Sequence, residues 1–283
     1  MSRNSGARLG APVPQNLGTP MQEAPPNPSL AFATPTTFVE LPSKGLSYPA
    51  GHPLQGVEQI EIRFMTAKEE DILTSEALLK KGIAVDRMVQ SVILDQKVRV
   101  EDLLIGDKNA ILIAARISGY GKDYEVNVAC NNCGARTEYS FDLEQGTAYD
   151  GQDFGDFNIE RTERGTFVIT TPTLGAQVEM RPMVGSDERY LTQLGLNRRA
   201  KNLPSTATTD QLRRLIVSVN GNNDTAYRES FITNAPATDT RYLRKAFRQI
   251  TPNIDLTQDF TCSSCGITNR MEVPMTAKFF WSK

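Results

Sequence analysis

The chain has few of the side chains on which enzymes most often rely. Its 283 residues include one histidine, His52, and four cysteines that occur only as two closely spaced pairs. His52 lies in the turn-like sequence of residues 50–53, and no serine or cysteine nucleophile is placed to use it. Residues 119–122, Gly-Tyr-Gly-Lys, lack the spacing and the Ser/Thr of a Walker phosphate loop. We therefore predict that the protein is not an enzyme.

Long apolar runs and a strong net charge are also missing. The longest apolar candidate, residues 110–117, is interrupted by Arg116, so no membrane span is expected. The formal net charge of −2 argues against a general nucleic-acid binder. The charge is uneven, because residues 186–250 contain eleven Lys/Arg and six Asp/Glu, whereas residues 1–185 contain seventeen and twenty-four. This asymmetry suits contacts with charged protein neighbours, and it equally suits ordinary solvated helix faces.

The four cysteines are the most informative residues that are present. They form two Cys-x-x-Cys-Gly motifs, made by Cys130, Cys133, Cys262 and Cys265. Four soft thiolates in two i, i+3 pairs suit one tetrahedral zinc ion. Because the protein would supply all four ligands, no position is left for water or substrate. We predict a structural Zn²⁺ site rather than a catalytic one.

The sequences that flank the cysteines predict hairpins. Apolar and polar residues alternate before and after each motif, over residues 125–128, 137–141, 256–260 and 267–273. Such alternation is typical of half-buried strands, so each motif is expected at the tip of a β-hairpin. Gly134 and Gly266 can take the positive φ that a tight turn after the second ligand needs. Two such hairpins that face one metal ion form a zinc ribbon.

Two disulfides, or two unrelated thiol pairs, are the alternative interpretations. No secretory signal is recognisable, so we expect the protein to fold in the cytosol, where disulfides are rare. A redox-active Cys-x-x-Cys pair normally lies at a helix N-terminus, which neither predicted hairpin offers. The shared zinc site is therefore preferred.

The N-terminal segment differs in composition from the rest. Residues 1–36 contain seven of the sixteen prolines, with Gly, Ser, Asn and Ala between them and few charges. A segment of this composition cannot bury a core, so we expect an extended or disordered arm.

Helix and strand signals follow in a regular order after this arm. A strand is expected over residues 58–64, and Thr66 and Glu69 form a capping box that opens a helix ending near Gly82. The helix dipole favours the acids in its first turn, Glu69, Glu70 and Asp71, so stability alone accounts for them. A second helix is expected over residues 86–94, and a third begins at Asp107 as N-cap, before the first hairpin.

The second half repeats this order. A strand over residues 177–181 is followed by predicted helices that begin at Ser186 and cover residues 212–219 and 240–250, and then by the second hairpin. Arg63 matches Arg181 at an offset of 118, and Cys130 matches Cys262 at an offset of 132. The difference fits an insertion near residues 200–209. We infer an internal duplication.

The predicted fold is α+β, with two related helix-plus-hairpin subdomains that a zinc-ribbon-like site of four cysteines joins. Its predicted parts are the arm (1–36), the first subdomain (37–150), a connecting β-hairpin (151–175) and the second subdomain (176–283). The zinc ion then acts as a clamp between the two subdomains.

Several segments resemble the baseplate hub protein family of T4-type contractile-tailed bacteriophages. The segments are LPSKG at residues 41–45, MTAKEEDILT at 65–74, LKKG at 79–82 and GDKNAIL at 106–112. The similar region spans residues 38–145. The resemblance implies a structural role in the virion, in the tail baseplate near its central hub, after assembly in the host cytoplasm. It also implies other baseplate and hub proteins as partners, with multiple copies in a symmetric assembly, and it brings no catalytic residues.

Two other functions remain open at this point. A hub assembly factor that leaves before the particle is complete would need the same adhesive surfaces. A zinc-ribbon nucleic-acid-binding protein is favoured by the basic segments at residues 198–201 and 241–245, but the net negative charge disfavours it.

Overall fold

Residues 33–275 and 279–280 are described by a computed structural model of the protein. Helices and strands follow one another there in two successive runs, and each run ends in a β-hairpin that carries one Cys-x-x-Cys pair. This arrangement confirms the predicted α+β class. Of the predicted arm, residues 1–32 lie outside the described residues.

The first run occupies residues 36–142. It consists of β1 (Thr36–Glu40), β2 (Gln59–Arg63), α1 (Ala67–Thr74), α2 (Glu76–Lys80), α3 (Ala84–Val92), α4 (Ile105–Tyr120), β3 (Asp123–Ala129) and β4 (Arg136–Asp142). The prediction of a single helix from Thr66 to Gly82 is wrong, because Ser75 has an extended backbone that separates α1 from α2. The prediction of Asp107 as N-cap is also wrong. α4 begins two residues earlier, and the buried Asp107 carboxylate instead accepts hydrogen bonds from Ser43 and Tyr48.

The second run follows directly. It consists of β5 (Thr147–Tyr149), β6 (Ile159–Arg161), β7 (Phe167–Thr170), β8 (Gln177–Met180), α5 (Gly185–Ala200), α6 (Ala207–Leu215), β9 (Ile216–Val219), α7 (Thr225–Asn234), α8 (Ala237–Gln249), β10 (Asn253–Asp255), β11 (Thr257–Thr261) and β12 (Thr268–Glu272). The helix predicted over residues 212–219 is wrong in its second half, because Ile216–Val219 is a strand. α7 is an additional helix, so four helices rather than three lie between β8 and the last hairpin.

All strand pairs described are antiparallel. One sheet has four strands in the order β6-β7-β8-β9, and the others are the pairs β1-β2, β3-β4, β11-β12 and β5-β10. β5, which follows the first hairpin, pairs with β10, which precedes the second hairpin. The beginning of the second run is therefore hydrogen-bonded to the segment that leads into its last hairpin.

Buried apolar side chains form two clusters. The first surrounds α3 and α4, with Met88, Val92 and Ile111 among its members. It also contains residues of both Cys-x-x-Cys hairpins, namely Tyr124, Phe141 and Phe260, and Val273 directly after β12. The second lies between the four-stranded sheet and the helices α6 to α8, with Phe167, Val178, Leu212, Leu243 and Phe247 among its members. The second hairpin thus belongs to the second run by sequence and to the first cluster by packing.

The beginning of α4 lies directly against the segment that precedes β10. A Cβ atom on Gly106 would lie 1.9 Å from the carbonyl oxygen of Pro252. The Asn109 side chain donates a 3.1 Å hydrogen bond to Asn253 at the same place. Because the obstructing atom is backbone, no side chain can rotate away to make room.

We expect Gly106→Ala to lower the free energy of unfolding by about 1–3 kcal/mol, as overpacking typically does. Gly195→Ala in α5 is the matched control, because its added Cβ would meet nothing within 4 Å. The control is expected to raise stability by roughly 0.5–1 kcal/mol, since alanine is the better helix former. Urea unfolding of both variants measures the difference, and equal midpoints would contradict the close approach.

Candidate metal centre

Each pair of cysteines lies at the tip of a hairpin, as predicted. Cys130 and Cys133 lie between β3 and β4, and Cys262 and Cys265 lie between β11 and β12. The amide of Cys130 donates to the carbonyl of Ala135 at 2.9 Å, and the amide of Cys262 donates to Ile267 at 3.0 Å. The two tips therefore have the same backbone hydrogen bond across the first cysteine of the pair.

A glycine with positive φ closes both turns. Gly134 has φ of 72° and Gly266 has φ of 69°. The Gly134 amide donates to the carbonyl of Cys130, and the Gly266 amide donates to that of Cys262. A side chain at either position would strain the left-handed backbone, which confirms why both motifs continue with glycine.

The four sulfur atoms converge on one place. The Sγ atoms of Cys130 and Cys265 are 3.8 Å apart, as are those of Cys133 and Cys262. All four lie within 4.8 Å of one another. Both close pairs join different hairpins, so the site connects two segments that are far apart in the sequence.

The two 3.8 Å distances fit a tetrahedrally coordinated ion. Four sulfur atoms at the usual Zn–S distance of about 2.3 Å are separated by about 3.8 Å along each edge of the tetrahedron. A disulfide would require an S–S distance of about 2.05 Å, and all four cysteines are free. The four residues therefore form a candidate metal site with a complete set of soft protein ligands.

Backbone amides stabilise the thiolates, which are the form that binds metal. The amides of Cys133 and Asn132 lower the pKa of Cys130. The amides of Cys265 and Ser264 lower the pKa of Cys262 to about 6. Each tip thus favours the anionic form of its first cysteine through its own backbone amides.

The hairpins also contact each other away from the sulfur atoms. The Tyr139 hydroxyl donates a 3.0 Å hydrogen bond to the carbonyl of Asp259, and its ring packs edge-on against Phe260. The Gln258 side chain both accepts from the amide of Asp142 and donates to its carbonyl. A metal ion would therefore reinforce an existing contact between the hairpins.

The single histidine has a structural environment. The ring of His52 stacks on Tyr48 with centroids 4.2 Å apart, and its Nδ1 accepts a hydrogen bond from the amide of Leu54. Burial lowers its pKa, so the ring is neutral near pH 7. These contacts explain His52 as part of a turn.

Two ion pairs, each with a buried carboxylate and a partly exposed arginine, stabilise the turns that lead into α1 and α5. Arg63 binds Glu69 through hydrogen bonds of 2.9 and 2.6 Å, and Arg181 binds Asp187 through hydrogen bonds of 2.6 and 2.8 Å. Both carboxylates are completely buried. The pair with Arg63 gives Glu69 a stabilising role in addition to the helix dipole and the capping box. The signal that identifies both pairs is an arginine six residues before an acid at the start of a helix.

A buried lysine connects the two runs. Lys108 on α4 lies 2.7 Å from Asp86 on α3 and 2.7 Å from Glu188 on α5. Arg189, also on α5, lies 2.8 Å from Asp86. These partners are distant in sequence, so no local motif predicts the cluster. Burial would lower the pKa of Lys108, but the two carboxylates outweigh that effect and raise it.

Comparison with known protein families identifies one that matches this chain. The family model for the T4 bacteriophage base plate protein matches residues 34–281. The chain belongs to this base plate protein family. The match contains both runs and both hairpins, so it extends the resemblance seen in residues 38–145 and confirms its baseplate part.

Membership of the base plate family gives the location of the protein. Proteins of this family belong to the tail baseplate of the virion, which is assembled in the host cell. Members of the family are structural proteins of the baseplate, and the family is not a known enzyme family. A search of curated proteins and a search of solved structures each found no match. Among the described residues we find no helix with the length and apolar character that a membrane span requires.

Proposed function

We propose that this base plate protein is a structural component in or next to the central hub, acts through protein–protein contacts, and is held together by a structural zinc ion. The observation that carries the proposal is the convergence of four cysteines from two distant hairpins into one sulfur cluster. The resemblance of residues 38–145 to the hub family supports the position near the hub.

The zinc ion is proposed as a clamp rather than a reaction centre. A set of four cysteine ligands leaves no open coordination position, which is the arrangement of structural zinc sites such as zinc ribbons. Each hairpin contributes two ligands, Cys130 and Cys133 from one and Cys262 and Cys265 from the other. Neither hairpin alone could complete the tetrahedron, so binding would stabilise their contact.

We further propose that the two runs arose by internal duplication. The Arg63–Glu69 pair before α1 and the Arg181–Asp187 pair before α5 are related by one offset, 118, for both partners. In each case the carboxylate also accepts a hydrogen bond from a backbone amide three residues before it, at Thr66 and Val184 respectively. Equivalent side chains thus hold equivalent turns.

A second set of equivalent contacts has its acidic partners at the cysteine offset of 132 and its amide donors at an offset of 130. Asp107 in the first turn of α4 accepts a hydrogen bond from the amide of Ser43, and Asp239 in the first turn of α8 accepts one from the amide of Thr173. Ser43 and Thr173 both follow a proline and precede, by two residues, a glycine with positive φ. By this match β7 corresponds to β1, and β8 corresponds to β2.

The match of β7 and β8 with β1 and β2 moves the proposed start of the second subdomain. β7 pairs with β8 in the four-stranded sheet, and Phe167 lies in the same cluster as Val178. We therefore propose that the hairpin of residues 151–175 is part of the second subdomain, which then begins before residue 176. The first subdomain remains at residues 37–150.

One helix face is suited to a charged partner. Arg241, Arg244, Lys245 and Arg248 lie on one exposed face of α8, and none forms an ion pair with another described residue. An acidic surface on a neighbouring baseplate protein would complement this face. The same face is the feature that would serve the nucleic-acid alternative.

Quantitative mass spectrometry of purified phage particles tests the proposed function. We expect the protein at a fixed, small-integer copy number relative to a known baseplate subunit, because symmetric assemblies have fixed stoichiometry. Absence from particles, with presence in infected-cell lysate, would favour the assembly factor. It would also reopen the nucleic-acid alternative, for which a strongly salt-dependent affinity for DNA is the diagnostic result.

A further inference from the structure

The two equivalent sheets differ at one edge. In the second run, β7 pairs with β8 on one side and with β6 on the other. In the first run, β1 pairs with β2, and no other strand within residues 33–275 pairs with it. No strand of the described residues therefore occupies, beside β1, the position that β6 fills beside β7.

The backbone of β1 is oriented to accept a strand there. Hydrogen bonds from the amide of Leu41 to Glu58 and from that of Phe64 to Pro35 show that odd-numbered residues of β1 pair with β2. Because backbone groups alternate along a strand, those of Thr36, Phe38 and Glu40 point away from β2. The N–H and C=O groups of these residues thus line the open edge.

The second run shows how such an edge is used. The amide of Thr170 donates to the carbonyl of Asn158, and the amide of Thr162 donates to that of Thr166. The even-numbered residues of β7 therefore bond to β6. By the match of β7 with β1, Val168 corresponds to Phe38, so the outward groups are the same in both strands.

The side chains at the open edge are unusually exposed. Phe38 is 66% exposed, the largest fraction among the large apolar residues described, whereas Val168 beside β6 is half-buried. The neighbouring acids Glu40 and Glu61 form no ion pair with a described residue. An exposed apolar edge strand is a template for pairing with another chain.

The tight turn that joins β6 to β7 has no equivalent at Pro35, which directly precedes β1. The β6–β7 turn passes through Gly165, which has φ of 75°. The corresponding residue before β1 is Pro35, whose ring fixes φ near −65°. The carbonyl of Pro35 also bonds to Phe64, which continues the pairing with β2. The tight hairpin of the second run is therefore unavailable here.

We propose that the outer edge of β1 accepts an antiparallel strand from a different subunit of the baseplate. The recognised segment is extended, places an apolar side chain against Phe38, and carries a basic rather than an acidic residue beside Glu40. Backbone hydrogen bonds to residues 36, 38 and 40 hold it. This inference rests on the proposed baseplate function, and it names the kind of contact by which the protein joins its neighbour.

Photo-crosslinking in assembled particles tests the proposal. Benzoylphenylalanine replaces Phe38 in one variant and Val168 in another, and cross-linked peptides are identified by mass spectrometry. Position 168 is the internal control, since it should cross-link to residues 159–161 of its own chain. Position 38 is expected to cross-link to an extended segment of another baseplate protein.

The outcomes separate this inference from the proposed function. If the protein is in the particle and position 168 reacts, but position 38 reacts only within its own chain or not at all, the strand site is wrong and the function stands. A cross-link to residues 1–32 of a second copy would overturn the assignment to a different subunit. Absence of the protein from particles would overturn both proposals.

A pair of substitutions isolates the backbone contact. Phe38→Ala removes the ring and keeps the outward N–H, whereas Phe38→Pro removes both and leaves the pairing with β2 intact. In particles grown with wild-type and variant protein together, Phe38→Pro is expected to be incorporated about tenfold less than Phe38→Ala, as the loss of one buried hydrogen bond implies. Equal incorporation of the two variants, with equal melting temperatures, would contradict strand addition.

Discussion

Replacing Cys130 with serine is expected to abolish metal binding and to lower the melting temperature by at least about 10 °C. Structural zinc sites are worth about 10–16 kcal/mol in small peptides, where the metal supplies nearly all the folding energy. Here Tyr139, Phe260 and Gln258 already join the two hairpins. We therefore expect a smaller loss than in a peptide, but one that is still large for a single substitution.

The measurement combines metal analysis with calorimetry. The wild-type protein should contain one zinc ion per chain, and Cys130→Ser and Cys262→Ser should contain none and melt alike, because each removes one ligand from one hairpin. Ser263→Ala, in the exposed turn between two ligands, is the matched control and should keep both the metal and the melting temperature. A wild-type protein without metal, whose melting curve these cysteine substitutions leave unchanged, would refute the clamp.

The hairpins could be predicted because their signals are local. Alternating residues on both sides of each Cys-x-x-Cys pair specify two strands, and the glycine that follows specifies the turn. The convergence of the cysteines could be predicted from the chemistry of the ligands, since two pairs together complete one tetrahedron. Neither inference requires knowledge of how the rest of the chain packs.

The packing of the second hairpin could not be predicted in this way. Phe260 and Val273 lie in the same cluster as Ile111 of α4, more than a hundred residues earlier in the chain. Their alternation identifies a strand with one buried face but does not say which element covers it. The second hairpin therefore packs in the first core, and only the tertiary structure shows this.

The errors in the helix predictions have the same origin. Asp107 has the residue type of an N-cap, but its buried carboxylate is used by Ser43 and Tyr48. Ile216–Val219 continues the apolar pattern of α6, but its β-branched residues pair with β8. In both cases a distant partner determined the structure, and the local preference alone was insufficient.

Replacing Arg63 or Arg181 with alanine is expected to lower the free energy of unfolding by about 3–5 kcal/mol, the usual cost of leaving a buried charge unpaired. Glu69 and Asp187 are completely buried in the wild-type structure, so each carboxylate depends on protein groups rather than on water for its stabilisation. Lys80→Ala is the control, because its pair with Glu76 is highly exposed and should contribute less than about 0.5 kcal/mol.

The pH dependence of the lost stability in Arg63→Ala identifies the cause of that loss. Burial would raise the pKa of Glu69, but hydrogen bonds from Arg63, Thr66 and Ser91 outweigh it and lower the pKa to about 2. A carboxylate whose pKa is lower in the folded state than in the unfolded state stabilises the protein above its unfolded pKa, and this contribution disappears as the pH falls toward the folded value. The difference in unfolding free energy between the wild-type protein and Arg63→Ala should therefore shrink as the pH falls from about 5 toward 2.

Comparison of the two variants tests the proposed duplication as well. If the turns before α1 and α5 are stabilised in the same way, Arg63→Ala and Arg181→Ala should lower the free energy of unfolding by similar amounts. The stability advantage of the wild-type protein over each variant should also diminish in acid, since hydrogen bonds from Arg181 help to lower the pKa of Asp187. Arg214 lies 2.5 Å from Asp187, so it provides a second cation there that Glu69 lacks. The cost at Arg181 is therefore expected at the lower end of the range. A negligible cost at Arg181 that persists when Arg214 is also replaced would show that the two turns are not energetically equivalent.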